Sequence, residues 1–275
     1  MTFDFAERAE LIRIARHVAR TEVMPRFRQL SPAQISTKSG PQDLVTEADL
    51  ACEAALTRAF AISFPTAFVI GEEAVSAGAV ALDALAAQGR TIVIDPIDGT
   101  WPFARGQCGF GMILSVIEAG EVVFGLHLDP VMDDWIWAAP GEGAHWARDG
   151  GTRPLACAPD RPLSERVGFL PLGLFPKSDQ HRLAALMPEF SRVLSLRCSA
   201  HEYRMLAEGG VDFCLSGNLN VWDHAAGALI VSEAGGKVAM LDGSPYRPDL
   251  RQGALLSANS AATWAELADM VSFLR

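Results

Sequence analysis

Residues 91–100 read Thr91-Ile92-Val93-Ile94-Asp95-Pro96-Ile97-Asp98-Gly99-Thr100. The β-branched run predicts a short buried strand over Thr91–Ile94 that passes straight into an acidic turn. Pro96 removes a backbone donor and fixes the turn, and Asp98, three residues after Asp95, can fold back toward the same point. Two carboxylates and an outward-turned carbonyl from Ile97 would make a hard, all-oxygen cation site. Gly99 lets the backbone come close to a ligand, and the amides of Gly99 and Thr100, if they open a helix, suit a phosphate group. The same string is also a good turn after a strand, so its meaning depends on what else the chain brings to it.

Three more acidic clusters stand where elements end. Asp43-Leu44-Val45-Thr46-Glu47-Ala48-Asp49 leads into a helix, Gly71-Glu72-Glu73 follows a second short strand over Ala67–Ile70, and Trp222-Asp223 opens a helix closed by Glu233-Ala234-Gly235-Gly236. Taken singly, the Gly-Glu-Glu string is ordinary surface sequence and Trp-Asp is an N-terminal cap. Taken together they are harder to dismiss. A fold that brought Glu72, Asp95, Asp98 and Asp223 within ~4 Å of one another would meet several kcal/mol of repulsion per pair at an effective dielectric near 20, and bound divalent cations are the natural remedy.

Outward from these clusters, apolar residues at steps of three and four predict a helix from Phe5 to Val23, ended by Pro25. A polar loop over Ser31–Gln42 precedes a second helix from Thr46 to Ile62, with Leu50, Ala54, Leu56, Ala59 and Phe60 on its apolar side. Met112–Ile117 and Val122–Leu126 flank an Ala119-Gly120 turn and read as a hairpin, which Trp135–Ala138 and Gly143–Ala147 continue as a meander. The Gly150-Gly151 turn is the best boundary, dividing an α+β half (1–150) from an α/β half (151–275). In the latter, strands over Arg166–Leu170, Val193–Leu196, Val211–Leu215, Lys237–Met240 and Ala254–Ser257 alternate with helices over Asp179–Met187, Ala200–Ala207, Trp222–Ala234 and Ala261–Leu274.

A chain of 275 residues with 49% hydrophobic content can bury a sizeable core. Its 33 acidic against 23 basic residues leave a formal charge of −10 without a basic run, which argues against nucleic acid as the main partner. The five cysteines contain no C-x-x-C pair and are odd in number, so a reducing compartment is expected. Charged residues run through Met1–Arg20, leaving no apolar targeting core, and apolar stretches fall short of the ~20 residues of a membrane span. The expectation is a soluble cytoplasmic protein with no membrane partner.

In their order, the strings at 43–49, 71–73, 95–100 and 222–236 resemble the motifs of the inositol monophosphatase family, Mg²⁺-dependent and lithium-sensitive phosphomonoesterases. The likeness runs from about Asp43 to Gly236. It implies an αβαβα layered sandwich, a homodimer, a small-molecule phosphomonoester as substrate, and a metal site between the halves. On that likeness, Glu72, Asp95 and the Ile97 carbonyl hold one Mg²⁺ and Asp95, Asp98 and Asp223 a second, with Glu72 helping a weaker third; Mn²⁺ could substitute. Asp49 and Thr100 match the pair that orients a nucleophilic water, with Glu72 close by, and Lys38 matches a basic residue on a loop over the site. In-line attack of a metal-activated water, with no covalent phosphoenzyme, follows from those roles.

Other phosphatase readings fit less well. The haloacid-dehalogenase phosphatases space nucleophile and acid as D-x-D, whereas Asp95 and Asp98 have two residues between them. Cys198 and Arg204 match the C-x₅-R spacing of cysteine phosphatases, but the intervening residues lack glycine and include Glu202. The family likeness also admits an accessory role in transcription with vestigial activity. Substrate is where the chain departs from the family: Thr100-Trp101-Pro102-Phe103 stands in place of Thr-Thr-Asn-Phe, Arg197-Cys198-Ser199-Ala200 in place of Gly-Thr/Ser-Ala-Ala, and Ser216 where inositol-specific members carry Glu. Arg197, Ser199, Ser216 and Asn218 are the pocket candidates. Inositol 1-phosphate is the leading substrate, with histidinol phosphate, a nucleoside 3′-phosphate or a sugar phosphate as alternatives. His224, beside Asp223, is read as a cap or surface residue as readily as a ligand.

Overall fold

In a computed structural model, which describes residues 3–83, 85 and 89–275, the chain begins with a reciprocally capped helix. The Asp4 carboxylate accepts from the Glu7 amide and the Glu7 carboxylate accepts from the Asp4 amide, starting α1 (Phe5–Val18). The helix expected to reach Val23 changes to a π-type turn over Ala19–Val23. A short ribbon follows, β1 (Ile35–Thr37) antiparallel to β2 (Leu44–Thr46). Thr46 then caps α2 (Glu47–Ser63), whose buried face is Ala48, Asp49, Cys52, Glu53, Leu56 and Phe60. Leu50 and Ala54, expected on the apolar side, are exposed, Leu50 by 53%. They lie about 100° around the helix from the buried Asp49 and Glu53, and those two carboxylates rather than the leucine face inward.

The hairpin and meander form one seven-stranded sheet in the order β3 to β9: β3 (Phe68–Gly71), β4 (Arg90–Asp98), β5 (Gly111–Glu118), β6 (Glu121–Asp129), β7 (Asp134–Ala138), β8 (Ala144–Arg148) and β9 (Gly151–Pro154). Only β3 and β4 run parallel, with α3 (Glu72–Ser76) leading off from β3. The Gly150-Gly151 turn joins β8 to β9 inside this sheet, so the chain leaves it after Pro154. Ala119 and Gly120, at φ 50° and 83°, form the expected tight hairpin turn.

The remaining strands form a five-stranded sheet in the order β11-β10-β12-β14-β13: β10 (Val167–Phe169), β11 (Arg192–Leu194), β12 (Phe213–Ser216), β13 (Lys237–Met240) and β14 (Leu255–Ala258). Strand β10 is parallel to both neighbours, while β14 is antiparallel to β12 and β13. After α4 (Thr100–Ala104), four helices belong to this half: α5 (Lys177–Leu186), α6 (Ser199–Ala207), α7 (Val221–Glu233) and α8 (Ala261–Met270).

Packing orders these elements in five layers. Helices α1 and α2 cover one face of the seven-stranded sheet through Leu11, Ile14, Leu56 and Phe60. Helices α6 and α7 fill the space between the sheets, where Leu206 and Ile230 meet Ile136 of β7 on one side and Phe169 of β10 on the other. Leu183 of α5 and Leu267 of α8 close the outer face of the second sheet over Phe213 and Leu256. Nine of the thirteen residues of α7 are buried because both sides face a sheet, which explains its lack of a polar stripe. Both inner helices start at one edge of the sandwich, beside the end of β4. Because Ile230 is fully buried between the two sheets, Ile230→Ala is expected to cost about 2–5 kcal/mol of stability. A urea unfolding midpoint within error of wild type would contradict this packing.

Candidate active site

Strand β4 does not stop at Ile94 but continues to Asp98 through an irregularity. Asp95 pairs with Ile113 and Asp98 with Gly111, so three steps on β4 match two on β5. In a regular strand residues three apart point to opposite faces; the extra residue of a bulge returns both aspartates to one side. Asp223, in the first turn of α7, meets them there. One carboxylate oxygen from each of Asp95, Asp98 and Asp223 lies within 4.8 Å of the other two.

Their remaining bonds show which oxygens are left. Asp98 Oδ2 accepts from the Ala200 amide at 2.5 Å and from Cys198 Sγ at 3.1 Å, at the start of α6. Asp223 Oδ2 accepts from Asn220 Nδ2 at 3.0 Å. Asp95 Oδ1 is buried with no hydrogen-bond partner, which is costly for a carboxylate unless something positive binds it. An all-oxygen, acidic group of this spacing with an orphaned oxygen fits a hard divalent cation.

Glu72 stands beside this group, and its charge is the foremost neighbour raising the Asp95 pKa after burial itself. Lys38 Nζ bridges Glu72 Oε1 at 2.6 Å and Glu73 Oε1 at 2.7 Å. Lys38 lies in the loop between β1 and β2, as the likeness implied, and is half-buried against these carboxylates. Glu53 of α2 accepts from the Glu73 and Ala74 amides, both at 2.8 Å, and so fixes the start of α3. That carboxylate explains Gly71: a Cβ there would stand 2.1 Å from Glu53 Cδ. Sequence reading missed Glu53. The signal was its place four residues after Asp49, on the same helix face.

Asp49 and Thr100 meet as the motifs implied. Thr100 Oγ1 lies 3.2 Å from Asp49 Oδ1 and 3.1 Å from the Ile97 carbonyl. Asp49 Oδ2 is held by the amide and hydroxyl of Thr46. Gly99 opens α4 at φ 84°, with Gly109 O only 2.8 Å from where a Cβ would sit, so a side chain is excluded twice over.

A cavity of about 280 Å³ joins Glu72, Asp98, Thr100 and Asp223 to Arg197, Ser199, Ser216 and Asn218. All four pocket candidates line it. Ser216 Oγ donates to the Asn218 carbonyl at 2.9 Å. His224 is neither a cap nor a surface residue: it is buried, with Nδ1 2.9 Å from Tyr203 Oη and Nε2 2.6 Å from the Asn218 carbonyl. It pins the loop after β12, and burial pushes its pKa down to about 4. The C-x₅-R match is a coincidence of spacing. Cys198 is buried against Asp98, which with burial drives its thiol pKa well up, and Arg204 pairs with Asp134 at 2.6 Å.

Burial dominates the charge state of the site. It raises Glu72 to about 7 against the pull of Lys38, Asp49 to about 7, Asp98 to about 8 with Asp223 adding to it, and Asp223 to about 6. Five carboxyl groups, Asp95 among them, thus lack sufficient positive charge from the protein. Bound protons or bound cations provide it.

This geometry has known counterparts. Residues 7–273 match the family model described as the inositol monophosphatase family. The chain is 30% identical over 215 residues to an inositol-1-monophosphatase of Bacillus subtilis, covering 77% of this chain and 78% of that one. It is 32% identical over 249 residues to a histidinol-phosphatase of Streptomyces coelicolor, with 88% and 90% covered. A solved structure of the Thermotoga maritima IMPase shares the fold at TM-score 0.83 and 25% identity, over 98% of both chains. With its acidic triangle and all four motifs in place, this chain belongs to the inositol monophosphatase family and is a metal-dependent phosphatase.

The raised carboxyl pKa values set the sign of a pH effect. The folded, metal-free protein holds protons that the unfolded chain has released, so its stability is greatest below about pH 4 for these groups and is lost as pH rises through 6 to 8. In EDTA the urea midpoint is expected to fall between pH 5 and pH 8, and added Mg²⁺ to restore it most at pH 8. A midpoint independent of both would mean that these carboxylates are not held together as described.

Proposed function

We propose that this chain is a Mg²⁺-dependent phosphomonoesterase of small molecules, with inositol 1-phosphate as its leading substrate. The observation that carries this reading is that Asp98 and Asp223 of the acidic triangle and Thr100 of the Asp49–Thr100 pair open onto one cavity that Arg197, Ser199, Ser216 and Asn218 also line. Glu72, Asp95 and the Ile97 carbonyl would hold one cation and Asp95, Asp98 and Asp223 another, with Glu72 reaching a third. Bound there, divalent cations supply charge neutralisation for phosphate and its leaving oxygen, and make water a better nucleophile at neutral pH.

The chain's own groups do the rest. Asp49, fixed by Thr46, accepts from the Thr100 hydroxyl, and this pair aims a water at phosphorus while Glu72 stands ready to take its proton. The left-handed turn at Gly99 brings backbone amides of Gly99 and Thr100 toward the phosphate. Arg197, Ser199, Ser216 and Asn218 line the cavity on the side proposed for the leaving alcohol. On this reading the part of the chain through the seven-stranded sheet and the part that follows it each supply some of the machinery, and no covalent phosphoenzyme forms. An intact acidic set favours turnover over an accessory role in transcription.

Five free cysteines support a reducing, cytoplasmic location, and no helix among the described residues is long and apolar enough to cross a membrane. Lithium sensitivity and a homodimer are the further properties that the family likeness supports. Histidinol phosphate, nucleoside 3′-phosphates and sugar phosphates are the alternatives, and a panel of phosphomonoesters assayed with Mg²⁺ separates them.

Asp95→Asn is expected to abolish Mg²⁺-dependent turnover while the circular dichroism spectrum stays that of wild type, since the lost charge serves both cations. More than about a tenth of the wild-type rate, a loss under ~1.4 kcal/mol, would remove Asp95 as the shared ligand. Ser216→Glu is expected to raise kcat/KM for inositol 1-phosphate about tenfold relative to an acyclic phosphomonoester, because a hydrogen bond to a charged group is worth roughly 1.5–3 kcal/mol. An unchanged ratio would take Ser216 out of the pocket.

A further inference from the structure

Arg197 occupies a backbone conformation that resists side chains, at φ 57°. The turn is held from beneath by Glu202, whose Oε1 accepts from the Leu196 amide at 2.8 Å. From this position the guanidinium carbon lies over the Trp101 ring, 4.5 Å from its centroid. Its Nη1 donates to Gln42 Oε1 at 3.0 Å and its Nη2 to the Gln42 carbonyl at 2.9 Å. An arginine that stacks and donates through two nitrogens is geometrically committed in a way a lysine could not be.

Gln42 sits at the tip of the β1–β2 ribbon, which has only three paired residues on each strand. A two-stranded ribbon of this size is marginal on its own. The same tip carries Lys38, whose amide donates to the Asp43 carbonyl at 2.9 Å and whose ammonium bridges Glu72 and Glu73. Contacts therefore run from Arg197 in the second half of the chain, through Gln42 and Asp43, to the lysine beside the acidic cluster.

We propose that Arg197 is a positioning residue: braced on Trp101, it clasps the ribbon at Gln42 and so holds Lys38 against Glu72 and Glu73. This rests on the reading of the cavity as the active site, and assigns Arg197's effect on the reaction to the ribbon rather than to a direct bond with the leaving group.

Trypsin tests it without substrate, because the Lys38–Ser39 bond is cut only when the ribbon lifts. Arg197→Gly removes the clasp and relieves the backbone, so the full-length variant should unfold at the same urea concentration as wild type or higher. Cleavage at Lys38–Ser39, followed by mass, should be at least tenfold faster, and because Lys38 then leaves Glu72, kcat for a phosphomonoester at saturating Mg²⁺ should fall at least fivefold. Should Arg197→Gly lower the unfolding midpoint, Gln42→Ala decides on the same bond, with cleavage about threefold faster at an unchanged midpoint. A wild-type cleavage rate in Arg197→Gly overturns the proposal even if KM rises, since that pattern makes Arg197 a substrate contact. Failure of the wild type to hydrolyse any phosphomonoester would overturn the active-site reading, while the cleavage rate would still decide the clasp.

Discussion

Repulsion among buried and half-buried carboxylates is the constraint around which this molecule is arranged. Asp95, Asp98, Asp223, Glu72 and Asp49 come from four separate stretches, and burial pushes the pKa of each upward. Left to themselves such groups would separate or stay protonated. The protein meets only part of this demand: the Ala200 amide donates to Asp98, Thr46 to Asp49, Asn220 to Asp223 and Lys38 to Glu72. Asp95 is left with a bare oxygen. The shortfall is what makes the cluster a place for cations.

Holding like charges together requires a scaffold that cannot relax. Two sheets with two helices packed between them provide it, because α6 and α7 are each pinned by apolar contacts on both sides. Each inner helix delivers its first turn to the site, α6 as the amide on Asp98 and α7 as Asp223 itself. On the opposite side α2 delivers Asp49 and, four residues on, Glu53, which caps α3 and thereby sets Glu72. Rigid elements, not loops, thus carry the acidic residues, and this placement suits an electrostatic site whose work depends on fixed distances.

Away from the acidic end, the cavity carries this chain's own substitutions. Trp101 and Arg197, both departures from the family motifs, stack on each other across the two halves. Ser216, where a glutamate would serve inositol, has its hydroxyl turned to the Asn218 carbonyl, next to a buried histidine that holds the same loop. The acidic motifs and the altered ones therefore sort by place, with the carboxylates at one end of the cavity and Trp101, Arg197 and Ser216 toward the other.

The motifs at 43–49, 71–73, 95–100 and 222–236 made the family likeness and the acidic residues legible in the sequence alone, because each is a local string with a local backbone meaning; the layered architecture came only as what that likeness implies. Hydrophobic periodicity likewise located most helices and strands. What local reading could not supply was direction. Whether Asp95 and Asp98 converge depended on a bulge that exists only because β4 pairs with β5. Leu50 and Ala54 were misjudged because a helix face is chosen by what it packs against, and here two carboxylates had the stronger claim on the interior. Glu53 on the Glu73 amide, the buried His224 on Tyr203 and the embrace of Gln42 by Arg197 are contacts between residues 20 to 155 positions apart. Spacing along a chain carries no information about such meetings; only the packing of the two sheets, which sets where each element ends, brought them about.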